Sequence, residues 1–99
     1  MARPEPPNEP IASIELDTPI TAWGESLDRL DYYRRPTAGD LEWLQDSGFK
    51  GVKGTLHIVQ RLTLVPVASL RRLDAWDYAK AEDVVNRFLG NGPTTTNGG

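Results

Sequence analysis

The chain has 99 residues, with 11 basic and 14 acidic side chains, and its formal net charge at pH 7 is −3. This acidic balance is not typical of nucleic-acid-binding proteins, which usually present a basic face to phosphates. The absence of cysteine excludes disulfide bonds and thiolate chemistry. No apolar run approaches the roughly 18 residues of a membrane span, and the beginning of the chain lacks the apolar core of a signal peptide. We therefore expect a cytoplasmic protein.

The two ends of the chain differ in composition from its middle. Residues 1–10 contain four prolines, and residues 91–99 contain no apolar side chain. Neither end can bury enough apolar surface to offset the entropy lost on ordering. We predict one folded domain over residues 11–90, between disordered tails. A domain of about 80 residues is marginally stable alone, so self-association stays open.

The first predicted element is a β-hairpin over residues 11–35. Apolar residues recur along its first half, and Pro19 indicates an edge or a bulge because proline has no N–H to donate. Gly24 marks the turn, since glycine readily adopts positive φ. Leu30 and Tyr32 then lie two positions apart, which is the spacing of one strand face. A lone hairpin is unstable in water, so the following helices must cover it.

A helix start follows the hairpin at once. Pro36 disfavours helical backbone at Arg35, which ends the extended segment. Thr37 is placed to accept a hydrogen bond from the backbone N–H of Asp40 as an N-cap, and the Asp40 carboxylate lies in the first turn. These signals predict a helix over residues 37–47.

The rest of the domain is predicted to be helical. Residues 49–54 are rich in glycine and are predicted to form a flexible connection. Apolar spacing predicts helices over 55–65, 66–73 and 75–89. The acidic side chains of the last helix are predicted to cap it or to face solvent; they are Asp74, Asp77, Glu82 and Asp83. The predicted fold class is α+β, with a two-stranded hairpin followed by three to four short helices.

No residue pattern indicates catalysis or cofactor binding. His57 is the only histidine, and no carboxylate lies at helical spacing from it, so it is predicted to be a partly exposed polar residue and not a base or metal ligand. No serine lies in a glycine-flanked nucleophile turn. The glycines of 49–54 lack the context of a nucleotide site. We predict no enzyme activity, no metal and no cofactor.

A small DNA-binding regulator is the alternative from another functional class. The pairs Arg34-Arg35 and Arg71-Arg72 are placed to contact phosphates, and several short helices allow a helix-turn-helix arrangement. The last helix, however, begins Asp-Ala-Trp-Asp from Asp74, which has the wrong sign for phosphate. DNA binding is therefore the less favoured interpretation.

Tryptophan is the residue type that indicates an interaction surface. Three tryptophans in so small a domain are hard to bury completely, and tryptophan is enriched among residues that dominate binding energy. Trp76 lies beside the main apolar stripe of its helix, with Tyr78 and Phe88 nearby along the chain. We predict that these three residues and Trp43 contribute to protein binding. The alternative for the tryptophans is packing at the edge of the core.

An ordered series of short patterns resembles the small tail assembly chaperones of contractile-tailed phages, a family with Mu-like and P2-like examples. The resemblance extends over nearly all of residues 11–90. The matching positions are Leu16-x-x-Pro19-Ile20, Gly24, Leu30 to Thr37, Asp40-Leu41, Leu70-x-x-Leu73-Asp74-x-x-Asp77-Tyr78 and Phe88-Leu89-Gly90.

The resemblance implies a helper of tail assembly that performs no catalysis. Such a protein acts in the host cytoplasm, associates with the tail tape-measure protein, assists assembly of tail-tube subunits around it, and is absent from the mature virion. A structural tail-completion component is the alternative within the same setting. Related families often make a longer product by ribosomal frameshifting.

Overall fold

The computed structural model describes residues 2–90. An antiparallel hairpin of β1 (Ala12–Ala22) and β2 (Glu25–Tyr32) comes first. Four helices follow, α1 (Ala38–Ser47), α2 (Gly51–Thr63), α3 (Val67–Leu70) and α4 (Ala75–Phe88). The predicted α+β class, a hairpin followed by helices, is confirmed. Within the described residues, no helix has the length and apolar character needed to cross a membrane.

The hairpin turn consists of two residues with positive φ. Trp23 has φ 52° and Gly24 has φ 75°, the combination required by the type I′ turns that match the twist of a hairpin. Tryptophan is an unusual residue in this conformation. Its side chain packs against the hydrophobic core, and this contact offsets the backbone cost.

The bulge in β1 is hydrogen-bonded to the buried carboxylate of Asp77 in the last helix. The strand register shifts between Glu15 and Ile20. Within that shift, the backbone N–H groups of Asp17 and Thr18 each donate to Asp77 at 2.9 Å. Burial by itself raises the pKa of Asp77, but these two donors and Lys80 lower it by more, so the net shift is downward. The side chain is completely buried.

The sequence-based prediction for Asp77 was therefore wrong. Its position in the first turn of α4 is typical of a residue that complements the helix dipole at the surface. Helical spacing does not show that an interrupted strand about 60 residues earlier supplies two backbone donors. The carboxylate joins the first strand to the last helix.

The hydrophobic core lies between one face of the hairpin and the helices. Leu30 and Tyr32 of β2 are completely buried, as the two-residue spacing predicts. The Tyr32 hydroxyl donates to the Ala81 carbonyl at 3.2 Å, and its ring meets Phe88 edge-on with centroids 6.1 Å apart. The predicted apolar stripe of α2 is buried against the same face: Leu56, Val59 and Leu62.

Helix α2 begins four residues earlier than predicted, so the prediction of a flexible connection over 49–54 was wrong. Gly54 is buried inside this helix, where a Cβ atom would lie 3.2 Å from the Phe49 carbonyl oxygen and 3.3 Å from Leu44 Cδ1. This glycine allows α1 and α2 to approach closely. Helix α3 ends at Leu70 and not at residue 73.

Residues 2–10 run beside the hairpin without helix or strand structure. The Asn8 side chain donates to the Tyr33 carbonyl at 2.9 Å. Arg3 lies 3.6 Å from Glu25 and 5.6 Å from the centre of the Trp23 ring. Disorder of this segment stays a prediction, and the tail predicted over residues 91–99 lies outside the described residues.

Replacement of Asp77 by alanine is expected to lower the free energy of unfolding by about 1–3 kcal/mol, because it removes a buried carboxylate that accepts from two backbone N–H groups and pairs with Lys80. Urea denaturation measures the change. Asp83→Ala on the same helix is the matched control: its ion pair with Arg87 at 2.9 Å is exposed, and its loss should cost within about 0.5 kcal/mol. Equal effects of the two substitutions would contradict the role assigned to Asp77.

Candidate protein-binding groove

An apolar groove lies between α1, the beginning of α2 and the end of α4. Its main cavity has a volume of about 430 Å³, and its floor includes Leu44, Ile58 and Val85. Three aliphatic side chains around it stand in solvent, namely Leu41, Val52 and Leu89, with exposed fractions of 43%, 57% and 39%. Aliphatic groups exposed together around a concave surface are typical of a protein-interaction site.

A second cavity of about 260 Å³ adjoins the first at Val52, which lines both. Helix α4 borders both cavities: Ala75 and Tyr78 line the second, and Glu82 and Leu89 line the first. At the helical rise of 1.5 Å per residue, the distance from Ala75 to Leu89 is about 21 Å. We call the two cavities together the groove.

The wall formed by α1 is held by the buried carboxylate of Asp40. Arg34 donates to it at 2.7 and 3.0 Å, and Arg61 Nε donates at 2.8 Å. The Thr37 N–H donates to the same carboxylate at 2.7 Å, while Thr37 Oγ1 accepts from the Asp40 N–H at 3.2 Å. The predicted N-cap is thus confirmed as part of a reciprocal capping box.

Arg34 holds the pKa of Asp40 well below its usual range, and Arg61 and Thr37 add to this effect against the opposing effect of burial. Neither ion pair was predicted from the sequence. The engagement of Arg34 by Asp40 also bears on the proposed basic pair Arg34-Arg35, because one of its two members is held within the fold.

Trp43 belongs to an aromatic cluster beside the α1–α2 contact. The Arg61 guanidinium lies 4.5 Å from the centre of its ring. His57 stacks on Phe49 with centroids 4.1 Å apart, and Trp43 meets Phe49 edge-on at 6.0 Å. Trp43 is half-buried, and its described contacts hold the two helices together. His57 is also half-buried, which agrees with the prediction of a partly exposed polar residue.

The other predicted interaction residues do not form one surface. Tyr78 lines the groove, and its hydroxyl donates to Glu82 at 3.3 Å. Phe88 packs against Tyr32 of the hairpin. Trp76 is 69% exposed. At 100° per residue, Trp76 and Phe88 lie about 120° apart around α4. Participation of these residues in binding stays a prediction.

Leu41, Val52 and Leu89 were not predicted as site residues. Leu41 lies three positions before Leu44 on the short apolar stripe of α1, Val52 lies within the glycine-rich stretch, and Leu89 directly follows α4. Their convergence depends on how three helices pack. Among residues 2–90, no group of three or more His, Cys, Asp or Glu side chains is arranged to hold a metal ion.

Acidification is expected to destabilise the fold through His57. Burial, with Arg71 and Lys53 nearby, lowers the pKa of His57 and favours its neutral form. Below about pH 6.5 the unfolded chain takes up the proton first, so the free energy of unfolding falls as pH decreases until the lowered folded pKa is passed. Urea denaturation between pH 7.5 and 5 measures this loss.

The two buried carboxylates do not obscure this range. Asp40 and Asp77 both have lowered pKa values, so their stabilising contributions are lost only below about pH 5. His57→Phe keeps an aromatic ring against Phe49 and should give a flat profile between pH 7.5 and 5. An equal decline in the variant and in the wild-type protein would show that another group is responsible.

Comparison with known proteins identifies the family. Residues 13–90 match the family described as phage tail assembly chaperone proteins, E, or 41 or 14. No curated protein and no solved structure matches the chain. The matched range contains the hairpin except Ala12, the four described helices and every residue that lines the groove. The chain therefore belongs to the phage tail assembly chaperone family.

Proposed function

We propose that this chaperone binds an amphipathic helix of the tail tape-measure protein in the groove, without catalysis, and so assists assembly of the tail tube around that protein. The observation that supports the proposal best is the convergence of exposed Leu41, Val52 and Leu89 on an apolar floor. Exposed aliphatic surface of this kind lowers solubility unless a partner covers it.

The walls of the groove favour a helical partner. They are formed by helices and their termini and not by a strand edge. An extended peptide would bring its N–H and C=O groups against apolar side chains without a ladder to pair with, which is costly. A helix satisfies these groups internally and presents only side chains. The groove length of about 21 Å matches roughly four helical turns.

Other parts of this chain are poor occupants. Residues 91–99 contain no apolar side chain to fill the floor. The helices of a second copy are also unsuited, because their principal apolar residues in the described part of the chain are buried in their own core. A tape-measure protein has long helical apolar stripes that need cover before the tube encloses them. The net charge of −3 would favour solubility of the complex.

Val52→Asp is expected to reduce capture of the tape-measure protein about tenfold or more, because an unpaired carboxylate would enter an apolar contact. Val52 lies in the first turn of α2, where an acidic residue complements the helix dipole, so the fold should persist. Pull-down from cells that express both proteins, with the soluble tape-measure fraction quantified, gives the measurement.

Two further variants complete that assay. Leu64→Asp is the matched control: Leu64 is an exposed aliphatic residue at the other end of α2, and its φ of 69° suits aspartate. The amount of tape-measure protein captured by this variant should stay within about twofold of the wild-type amount. Trp76→Ala tests Trp76 as a separate contact, with an expected loss of about fivefold. Equal losses for Val52→Asp and Leu64→Asp would refute the groove as the binding surface.

A helper that leaves after assembly is expected in the host cytoplasm and not in the mature virion. Mass spectrometry of purified particles and of the infected-cell lysate tests this part of the proposal. We expect peptides of this chain in the lysate and none in the particles, with the tail-tube protein as the positive control in both samples. Recovery of this chain from particles at a fixed ratio to the tail-tube protein would favour the alternative of a structural tail component.

A further inference from the structure

Opposite charges line the two sides of the groove. Lys50 lies at the start of α2 and lines the main cavity, next to the exposed Val52. Glu82 lines the same cavity from α4, and the Tyr78 hydroxyl donates to its carboxylate at 3.3 Å. The apolar floor between them gives no preference for direction. A preferred direction for a bound helix must therefore come from the charged sides of the groove.

The backbone adds to the difference in charge. The first turn of α2 contains no acidic residue, and Lys50 provides no side-chain cap, so the positive end of this helix reinforces Lys50. On the other side, α4 ends beside Leu89, and the last carbonyl groups of a helix are partially negative. Arg87 lies in this last turn but pairs with Asp83 at 2.9 Å. The α2 side of the main cavity is thus positive and its α4 side negative, while Arg71 adds a positive charge to the lining of the second cavity.

We propose that this charge difference fixes the direction in which a partner helix lies in the groove. The inference rests on the proposed function and specifies its partner: an amphipathic helix with acidic side chains along one flank of its apolar stripe and basic side chains along the other. In one direction the acidic flank meets Lys50 and the basic flank meets Glu82. Turning the helix end for end exchanges the flanks and brings like charges together.

A fixed binding direction has a consequence for assembly on a long tape-measure protein. Copies of the chaperone that bind successive segments of one helical protein would all face the same way. The surface that each bound copy leaves exposed would then have the same orientation all along the tape-measure protein.

The test uses the full chain and a synthetic amphipathic peptide of about 18 residues, slightly longer than the groove. The peptide has leucines at helical spacing, glutamates along one flank and lysines along the other. A spin label at one peptide end should broaden the backbone N–H signals of protein residues near Leu89, and a label at the other end those near Leu73, which lines the far cavity. We expect one direction to be preferred by about fivefold or more.

Reversal of the charges is the decisive step. With the same peptide, the double variant Lys50→Glu, Glu82→Lys should exchange the two broadening patterns. A peptide with its flanks exchanged should do the same in the wild-type protein. The control is Glu15→Lys with Arg29→Glu, which exchanges charges on two cross-strand neighbours of the hairpin and should leave the direction unchanged.

The outcomes separate the two proposals. Equal broadening from both labels, or an unchanged pattern in the double variant, would overturn the inference about direction. The groove would still be supported if the wild-type protein bound the peptide and Val52→Asp lost this binding. Failure of the wild-type protein to bind the peptide would overturn the groove as a helix-binding site, and the inference about direction with it.

Discussion

The carboxylate of Asp77 joins the first strand of this domain to its last helix, and the position of the groove depends on that contact. A two-stranded hairpin is not stable alone in water, so its apolar face must be covered by helices. Asp77 accepts two backbone N–H groups of the β1 bulge, those of Asp17 and Thr18. It thereby sets α4 against the hairpin. Tyr78 and Glu82, which line the groove, lie on that same helix, and Leu89 directly follows it.

Asp40 has the corresponding role for the other wall. It binds Arg34 at the hairpin exit and Arg61 of α2, and the exposed Leu41 follows it directly in the chain. Gly54 then lets α1 approach α2 closely. Two buried carboxylates and one glycine therefore position the groove before any partner arrives. A site that is already ordered loses less conformational entropy on binding, so even a small apolar contact contributes to affinity.

The features predicted correctly from the sequence depend on neighbours in the chain. The Thr37 cap, the Gly24 turn and the buried stripe of α2 are specified by residues within a few positions of each other. The role of Asp77 and the pairing of Asp40 with Arg61 join distant segments, and no local spacing indicates them. Gly54 shows a different difficulty, because glycine permits both a loop and close helix packing. The groove was also missed because its exposed aliphatic residues come from three distant segments of the chain, and no local spacing indicates that they converge.

Under the proposed function, the modest size of the groove would suit a chaperone that later releases its partner. Three exposed aliphatic residues around one groove provide little apolar area, so a single site is expected to bind weakly and reversibly. A long helical partner offers many such segments, and coverage of the whole length can result from many weak contacts. A growing tube could then displace one copy at a time, because removing each copy breaks only one contact. Tight binding at every site would oppose this replacement, which favours a shallow apolar groove with charged sides over a deep one.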